Sequence, residues 1–209
     1  MKPITYLYVL LAIVFISISL YIPSYIFLSH QKQEKTQLHY DNKISQASIE
    51  FEAVTNAYTL VADTIYKNVL DKKEITSLVK RANAQDDAGK DLLRQELYNR
   101  LLPLYLNLSH QNISQLHFHL KNSVSFLRFH HREKFGDSLG GVRYSIDKVN
   151  RTFKPEHGFE EGPVFNGFRH VYPLIHKNKF AGTVEVSYSF NAIRAQRMKL
   201  SLATYDFMI

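Results

Sequence analysis

The amino-acid sequence predicts an α+β protein in which helices come first and an antiparallel β-sheet follows. Up to about residue 106, apolar residues recur every three or four positions, which is the period of an α-helix. From about residue 115 they alternate every two positions, as in strands with one buried face. A run of 25 residues without a charged side chain, residues 4–28, precedes both parts.

The uncharged run is long enough to cross a hydrocarbon core of about 30 Å as a helix. A cleaved signal peptide has a shorter apolar core of about 7–15 residues and small residues at its cleavage site, whereas this run ends in Tyr-Ile-Phe-Leu. We therefore expect residues 1–29 to form a short cytoplasmic tail and an uncleaved transmembrane helix. Residues 30–209 would then lie outside the membrane, although the few flanking lysines hardly fix this orientation.

A long stalk helix is predicted over residues 30–82. No glycine or proline occurs between His30 and Lys80, and apolar residues step by three and four from Ile44 to Val69. This apolar stripe fits either packing against the helix's own domain or a homodimer formed through the stalk. Measurements of self-association would distinguish the two.

The remaining elements follow from breaks in these periods. The polar, glycine-containing residues 83–90 separate the stalk from a second helix, 91–106, which Pro103 bends or ends. A sheet subdomain then spans residues 115–190, and residues 191–209 follow as a helix, 191–200, and the start of a further strand, 204–209. Within the sheet subdomain we expect strands at 115–120, 124–129, 157–160, 168–176 and 180–190, and a short helix at 142–151.

The charge of the chain limits its partners. The formal net charge is +7, and residues 30–209 carry 25 basic and 19 acidic side chains, scattered without a basic stripe. Nucleic acid is therefore not expected as a partner. Anionic ligands or an anionic membrane surface are the better match. The chain has no cysteine, so its fold requires neither an oxidising nor a reducing compartment.

Several short motifs in the sheet subdomain occur in a fixed order. They are Phe126-Leu127-Arg128 with His130, Lys134-Phe135-Gly136-Asp137 with Leu139, Arg143, Lys154-Pro155, Gly158, Glu160, Gly162, Arg169, Pro173-Leu174, Gly182 and Glu185. In this order they resemble the Cache sensor domains of bacterial transmembrane receptors, most closely the double-Cache type 3 pattern. The resemblance implies a PAS/Cache-like antiparallel sheet with flanking helices.

The resemblance also implies a function. Such domains are periplasmic sensors of small molecules in dimeric receptors of the bacterial inner membrane, and they feed a histidine kinase, a chemotaxis transducer or a cyclic-dinucleotide enzyme. The sequence ends at Ile209 without a second membrane span, a second Cache subdomain or an output module. We expect the leading part of a longer receptor, a truncated product, or a protein that signals by pairing with another.

Three arginines are the main candidates for ligand binding, because guanidinium groups bind carboxylates through two parallel hydrogen bonds. In one interpretation they converge into an anion pocket closed by aromatic side chains. In the other, each arginine pairs with Asp137, Glu160 or Glu185 and braces a loop against the sheet. We assign ligand binding to Arg128, Arg143, Tyr144, Phe159, Arg169, Tyr172 and Glu185, and loop bracing to Asp137 and Glu160.

The histidines raise the question of a metal site. His117 and His119 share one strand face, and His130 and His131 lie on the next strand or just after it. Two strand histidines and a third ligand could bind zinc. We instead expect a solvated histidine face, because apolar residues occupy the opposite, core-facing side. Alternatively, these histidines sense pH near their ordinary pKa of about 6.5.

No set of catalytic residues is evident, so an enzyme is not expected. No nucleophile elbow, phosphate-binding glycine loop or His-Glu-x-x-His motif occurs. Glu160 and Glu161 are neighbours on a strand and point to opposite faces, so they cannot act as a pair. No cofactor is expected. The sequence thus favours a membrane-anchored ligand sensor, and the alternative is a membrane-anchored structural or partner-binding protein without a small ligand.

Overall fold

The computed structural model describes residues 3–162 and 166–206, and the side chains of residues 6–162 and 166–200. The helices are α1 (Pro3–Ile65), α2 (Lys73–Ala82), α3 (Asp87–His110), α4 (Tyr144–Thr152) and α5 (Phe190–Asp206), with a π-helical turn at Tyr66–Leu70. The strands are β1 (Ile113–Leu120), β2 (Ser125–Arg128), β3 (Glu156–Glu160), β4 (Gly167–His176) and β5 (Lys179–Ser189). The predicted α+β architecture is confirmed. The chain forms two compact units, and the division falls between Glu50 and Phe51.

The first unit is the N-terminal part of α1. Among the residues that the structure describes, one helix is long and apolar enough to cross a membrane, and no part of its most apolar window, of mean hydropathy 2.2, is buried. Three serine hydroxyls in this part, those of Ser19, Ser24 and Ser29, each donate a 2.8 Å hydrogen bond to a carbonyl three or four residues earlier. These hydroxyls therefore have hydrogen-bond partners within the helix, which polar groups inside a bilayer require because no water is available there.

The second unit contains the sheet and the remaining helices. Its five strands are all antiparallel to their neighbours, in the order β2-β1-β5-β4-β3. One face of the sheet packs against α1, α2 and α3 around a core that includes Leu70, Leu97, Phe118 and Val184. The other face carries polar side chains and is covered by α4, whose Ile146 and Val149 pack on Val171 and Leu139.

A glycine is required where β1 and β5 pair. Gly182 has φ +149°, and a Cβ atom there would lie 2.1 Å from the carbonyl oxygen of His119. No other residue fits this close approach of two backbones. The glycine therefore fixes the position of His119 in the sheet.

The helical region differs from the sequence expectation of one stalk helix over 30–82. The helix widens into the π-turn, where the Asp71 amide bonds to the Tyr66 carbonyl at 2.9 Å, and then breaks before α2. The extra residue in this turn places Leu70 fully inside the core. The Tyr66 hydroxyl also donates to the Pro173 carbonyl at 2.7 Å, which ties the turn to β4.

Helices α3 and α5 are also longer than the sequence predicts. α3 exceeds the expected 91–106 because Asp86 caps it, accepting a 2.8 Å bond from the Gly89 amide, and because Pro103 lies inside it without ending it. The strand expected at 204–209 is wrong for residues 204–206, which belong to α5, whereas 207–209 lie outside the described residues.

Candidate functional site

A cavity of about 830 Å³ opens on the polar face of the sheet. Its described walls are β1, β2, β4, Gly162 and residues 129–143, which connect β2 to α4 and are called the cover segment below. The size suits a small molecule. The described lining residues are Gln115, His117, Arg128, His130, His131, Glu133, Lys134, Phe135, Asp137, Ser138, Leu139, Val142, Arg143, Gly162 and Arg169.

Two of the three predicted arginines meet over one buried carboxylate. Arg143 Nη2 donates to Glu185 Oε2 at 2.7 Å, and Arg169 Nη1 donates to Glu185 Oε1 at 2.6 Å. Glu160 lies farther away, with its oxygens 3.5 Å from Arg143 Nε and 3.8 Å from Arg169 Nε. These four side chains are called the ion-pair quartet below. Glu185 has no exposed surface. Its burial by itself would raise the carboxyl pKa, but Arg143 and Arg169 hold that pKa well below its usual range.

The third arginine holds the cover segment. The Arg128 guanidinium donates to both Asp137 carboxylate oxygens, at 2.7 and 2.8 Å, and to the Lys134 carbonyl at 2.9 Å. Hydrogen bonding from Arg128 lowers the pKa of the Asp137 carboxyl. The cover segment also pairs with the sheet edge, because the Ser125 amide donates to the Asp137 carbonyl at 3.0 Å. It is therefore fixed at several points.

Helix α3 contacts the cover segment from outside. The Arg94 guanidinium lies 3.5 Å from the centre of the Phe135 ring, and Arg132 lies 4.4 Å from the ring centre of Tyr98. Arg94 Nε also donates to the Phe126 carbonyl at 2.6 Å. These cation–π contacts connect one wall of the cavity to a helix of the core.

His117 and His119 are not solvated, contrary to the sequence expectation, whereas His131 is exposed. His117 and His119 are 2% and 0% exposed, with ring centres 4.0 Å apart, because α4 and the cover segment lie over the strand face that they share. His117 Nε2 lies 2.8 Å from Ser125 Oγ, and His119 Nδ1 lies 2.9 Å from Thr183 Oγ1. Burial lowers the His117 pKa well below its ordinary value, and it lowers the His119 pKa to about 3 although the charge of Glu185 acts to raise it. Burial likewise lowers the His130 pKa to about 4, so none of the three titrates near 6.5.

The structure brings together part of the predicted site. Arg128, Arg143 and Arg169 all line the cavity, and Glu185 lies beneath Arg143 and Arg169. Each of the three arginines also has a carboxylate partner, as in the bracing interpretation.

The three predicted aromatic residues do not line the cavity. Tyr172 lies on the opposite sheet face, where its ring stacks on Tyr66 at 4.4 Å and its hydroxyl donates to Asp63 at 2.7 Å. Tyr172 is three residues from Arg169 on one strand, so the two must face opposite ways. Tyr144 and Phe159 are mostly exposed and are absent from the described lining.

Sequence reasoning did not assign Gln115, His117, His130 or Lys134 to the cavity. The register supplies the missing information, because Gln115 pairs with Ser187 and His117 pairs with Glu185. Residues that pair across an antiparallel sheet share a face, so β1 contributes to the same site as the quartet. The alternation of these residues with Leu116 and Phe118 was the available signal.

The chain is similar to one family and to several solved structures. A family model described as a double sensory domain of two-component sensor kinase matches residues 31–201. No curated protein matches the chain.

Solved structures provide more distant likenesses. The sensor domain of the histidine kinase DctB from V. cholerae is 14% identical, with a TM-score of 0.51, over 76% of this chain and 60% of that domain. The DcuS sensor domain from E. coli is 15% identical, with a TM-score of 0.47, over 71% of this chain and 97% of that domain. The isoleucine-bound sensory domain of the C. jejuni chemoreceptor Tlp3 is 12% identical, with a TM-score of 0.40, over 73% of this chain and 63% of that domain. The chain thus spans about three fifths of the DctB and Tlp3 domains, and the likeness to DctB shows the fold.

Proposed function

The chain belongs to the family of double sensory domains of two-component sensor kinases, and from this premise we propose that it is a membrane-anchored sensor of a small anionic or zwitterionic ligand. Residues 1–29 would form the cytoplasmic tail and the span in a bacterial inner membrane. Residues 30–209 would lie on the periplasmic side, with no catalytic role.

The observation that carries this proposal is the cavity with three guanidinium groups at its wall. Its described lining contains four basic side chains and two acidic ones, and burial lowers the pKa of His117 and of the partly buried His130. Glu160 and Glu185 lie outside the described lining and balance the charges of Arg143 and Arg169. The preference for an anionic group such as a carboxylate therefore comes from the guanidinium hydrogen-bond donors at the wall. The two acidic side chains, Glu133 and Asp137, provide acceptors for an ammonium group if the ligand is zwitterionic.

We propose that the ligand anion binds on the side of the quartet where Glu160 now lies. Glu185 holds Arg143 and Arg169 at hydrogen-bond distance, whereas the Glu160 oxygens are 3.5 and 3.8 Å from these guanidinium nitrogens. The longer contacts are the weaker ones and are the easier to exchange. Ser145 Oγ donates to Glu160 and would keep that carboxylate at the start of α4 after the exchange.

Signalling would pass through the strands to α1. β4 and β5 present Arg169 and Glu185 to the cavity, and their alternate residues contact α1 on the other face. His170 Nε2 lies 2.9 Å from Thr59 Oγ1, and the Tyr188 ring stacks on Tyr58 at 4.1 Å. A shift of β4 on ligand binding would therefore move α1 and bias two packings of a homodimeric receptor. The output would be a histidine kinase, a chemotaxis transducer or a cyclic-dinucleotide enzyme.

A second candidate is a membrane-anchored structural or partner-binding protein without a small ligand. The observation that favours it is that each of the three arginines already has a carboxylate partner. In this case the cluster would serve only to hold α4 and the cover segment on the sheet.

Thermal unfolding of the full chain in mild detergent, screened with single amino acids, small carboxylates and amines, distinguishes the two candidates. A ligand that binds only the folded state raises Tm. We expect one class of compound to raise Tm of the wild type, and Arg128→Gln and Arg169→Lys to lose this rise while remaining folded. Arg100→Gln, which changes an exposed arginine of α3, is the matched control and should retain it. A folded chain that no compound stabilises, or a rise that persists in both cavity variants, would contradict the sensor proposal.

A further inference from the structure

Three buried side chains below the cavity have the composition of a metal site. His117, His119 and Glu185 each offer one ligand atom, and these atoms all lie within 4.8 Å of one another. Two imidazoles and one carboxylate are a common protein set around zinc where a fourth position stays open. We propose that His117, His119 and Glu185 bind one divalent transition-metal ion, with the fourth position directed to the cavity. This inference stands apart from the small-ligand proposal.

The hydrogen bonds of the two histidines leave the necessary nitrogens available. His119 Nδ1 is engaged by Thr183 Oγ1 at 2.9 Å, and His119 Nε2 is buried without a hydrogen-bond partner. A buried polar atom without a partner is rare and calls for a water or an ion. His117 Nε2 is engaged by Ser125 Oγ at 2.8 Å, which leaves Nδ1 as its ligand nitrogen. Metal-binding histidines are typically held in this way through their second nitrogen.

The separations require only small movements. Zinc bonds of about 2.0–2.1 Å in a tetrahedron place ligand atoms about 3.3 Å apart. The distances between the three ligand atoms, which are up to 4.8 Å, must therefore shorten by about 1–1.5 Å. The position of His119 is set by the tight pairing with Gly182, so we expect His117 and Glu185 to move.

The charges around the site select which ions it can hold. Arg143 and Arg169 oppose any cation, and Glu160 and Glu185 balance them. The ion must therefore gain its affinity from the imidazole nitrogens. Zn²⁺, Co²⁺ and Ni²⁺ bind imidazole well, whereas Mg²⁺ and Ca²⁺ prefer oxygen ligands. We expect the site to exclude Mg²⁺ and Ca²⁺, which separates it from a nonspecific acidic site.

Co²⁺ titration of the metal-free full chain in mild detergent tests this inference. We expect one tightly bound Co²⁺ per chain with visible ligand-field bands of low coordination number, displaced by Zn²⁺ and not by excess Mg²⁺. His119→Gln should weaken binding by at least about tenfold. The matched control is His110→Gln, which removes an exposed histidine at the end of α3, outside the cavity lining, and should leave binding unchanged.

A second variant keeps the inference testable if His119→Gln does not fold. Thr183→Val keeps the shape of a fully buried side chain and removes only the hydrogen bond to His119, so we expect Co²⁺ binding to weaken by about 10–100-fold. Absence of ligand-field bands in the wild type would overturn the inference. Equal binding by wild type and both buried-site variants, or an equal loss in His110→Gln, would also overturn it. Small-ligand stabilisation measured without metal tests the sensor proposal separately.

Discussion

Removal of the Glu185 charge is the most direct test of the energetics of the site. Glu185 is fully buried and accepts hydrogen bonds from Arg143 at 2.7 Å and from Arg169 at 2.6 Å. Glu185→Gln keeps the size of the side chain and removes the carboxylate charge nearest to the two buried guanidinium groups, from which the Glu160 oxygens are 3.5 and 3.8 Å away. Breaking a buried ion pair by removing one partner costs about 3–5 kcal/mol. We expect a loss of this size in the free energy of unfolding.

A charge-balanced double variant shows whether charge is the cause. The ion-pair quartet is neutral, and Glu185→Gln leaves it with one excess positive charge. Arg169→Met alone leaves one excess negative charge, and the double variant is neutral again. Because the two side chains interact directly, we expect the double variant to lose about 2 kcal/mol less than the sum of the single losses.

The assay is urea unfolding of the full chain in mild detergent. The 13 tyrosines and the absence of tryptophan make near-ultraviolet circular dichroism of tyrosine the suitable signal. Arg128→Met is the control, because its partner Asp137 is half exposed and stays solvated when the arginine is lost. We expect this control to cost about 1 kcal/mol or less. A Glu185→Gln loss no larger than that of the control, or strict additivity in the double variant, would refute the reasoning.

Three further predictions concern the sheet and its contact with α1. Gly182→Ala would place Cβ 2.1 Å from the His119 carbonyl oxygen, so we expect a drop in Tm larger than that of an Ala substitution at the open position Gly141. Burial lowers the His170 pKa from 6.5 to about 4, so the stability that the neutral ring provides is present above pH 6.5 and lost as the pH falls toward 4. Urea unfolding at pH 7.5 and 4.5 should show a loss of up to about 3 kcal/mol from this group, and His170→Gln should reduce the difference. Tyr172→Phe removes the hydrogen bond to Asp63, so we expect a loss of about 1 kcal/mol in the same assay and unchanged binding in the cavity on the other face.

Several parts of the fold were predictable because they depend on local patterns. The uncharged run, the helical spacing up to the end of α3 and the alternation in the strands each follow from neighbouring residues. The motifs from Phe126 to Glu185 supported the resemblance to a sensor family, which the match over residues 31–201 confirms. The sheet face on which Tyr172 lies could also have been predicted, because its spacing from Arg169 on the same strand places the two side chains on opposite faces.

Other parts depended on contacts between distant segments. The break between α1 and α2 contains no glycine or proline from which it could have been predicted. At this break the Tyr66 hydroxyl donates a hydrogen bond to the carbonyl of Pro173, which lies 107 residues later in the chain. The extension of α3 past Pro103 likewise reflects packing of its buried leucines on the sheet.

The sequence by itself determined the element order, the apolar N-terminal helix and which side chains share each strand face. Only the tertiary structure decided what covers each face and which charges meet. Periodicity identified the common face of His117 and His119, but the cover segment and α4 made it a buried one. Likewise, three arginines and three carboxylates admitted several pairings, and the strand register selected Glu185 as the shared partner of Arg143 and Arg169. The physical reason is that a local pattern records the direction of a side chain, whereas its burial and ion pairs depend on segments far away in the chain.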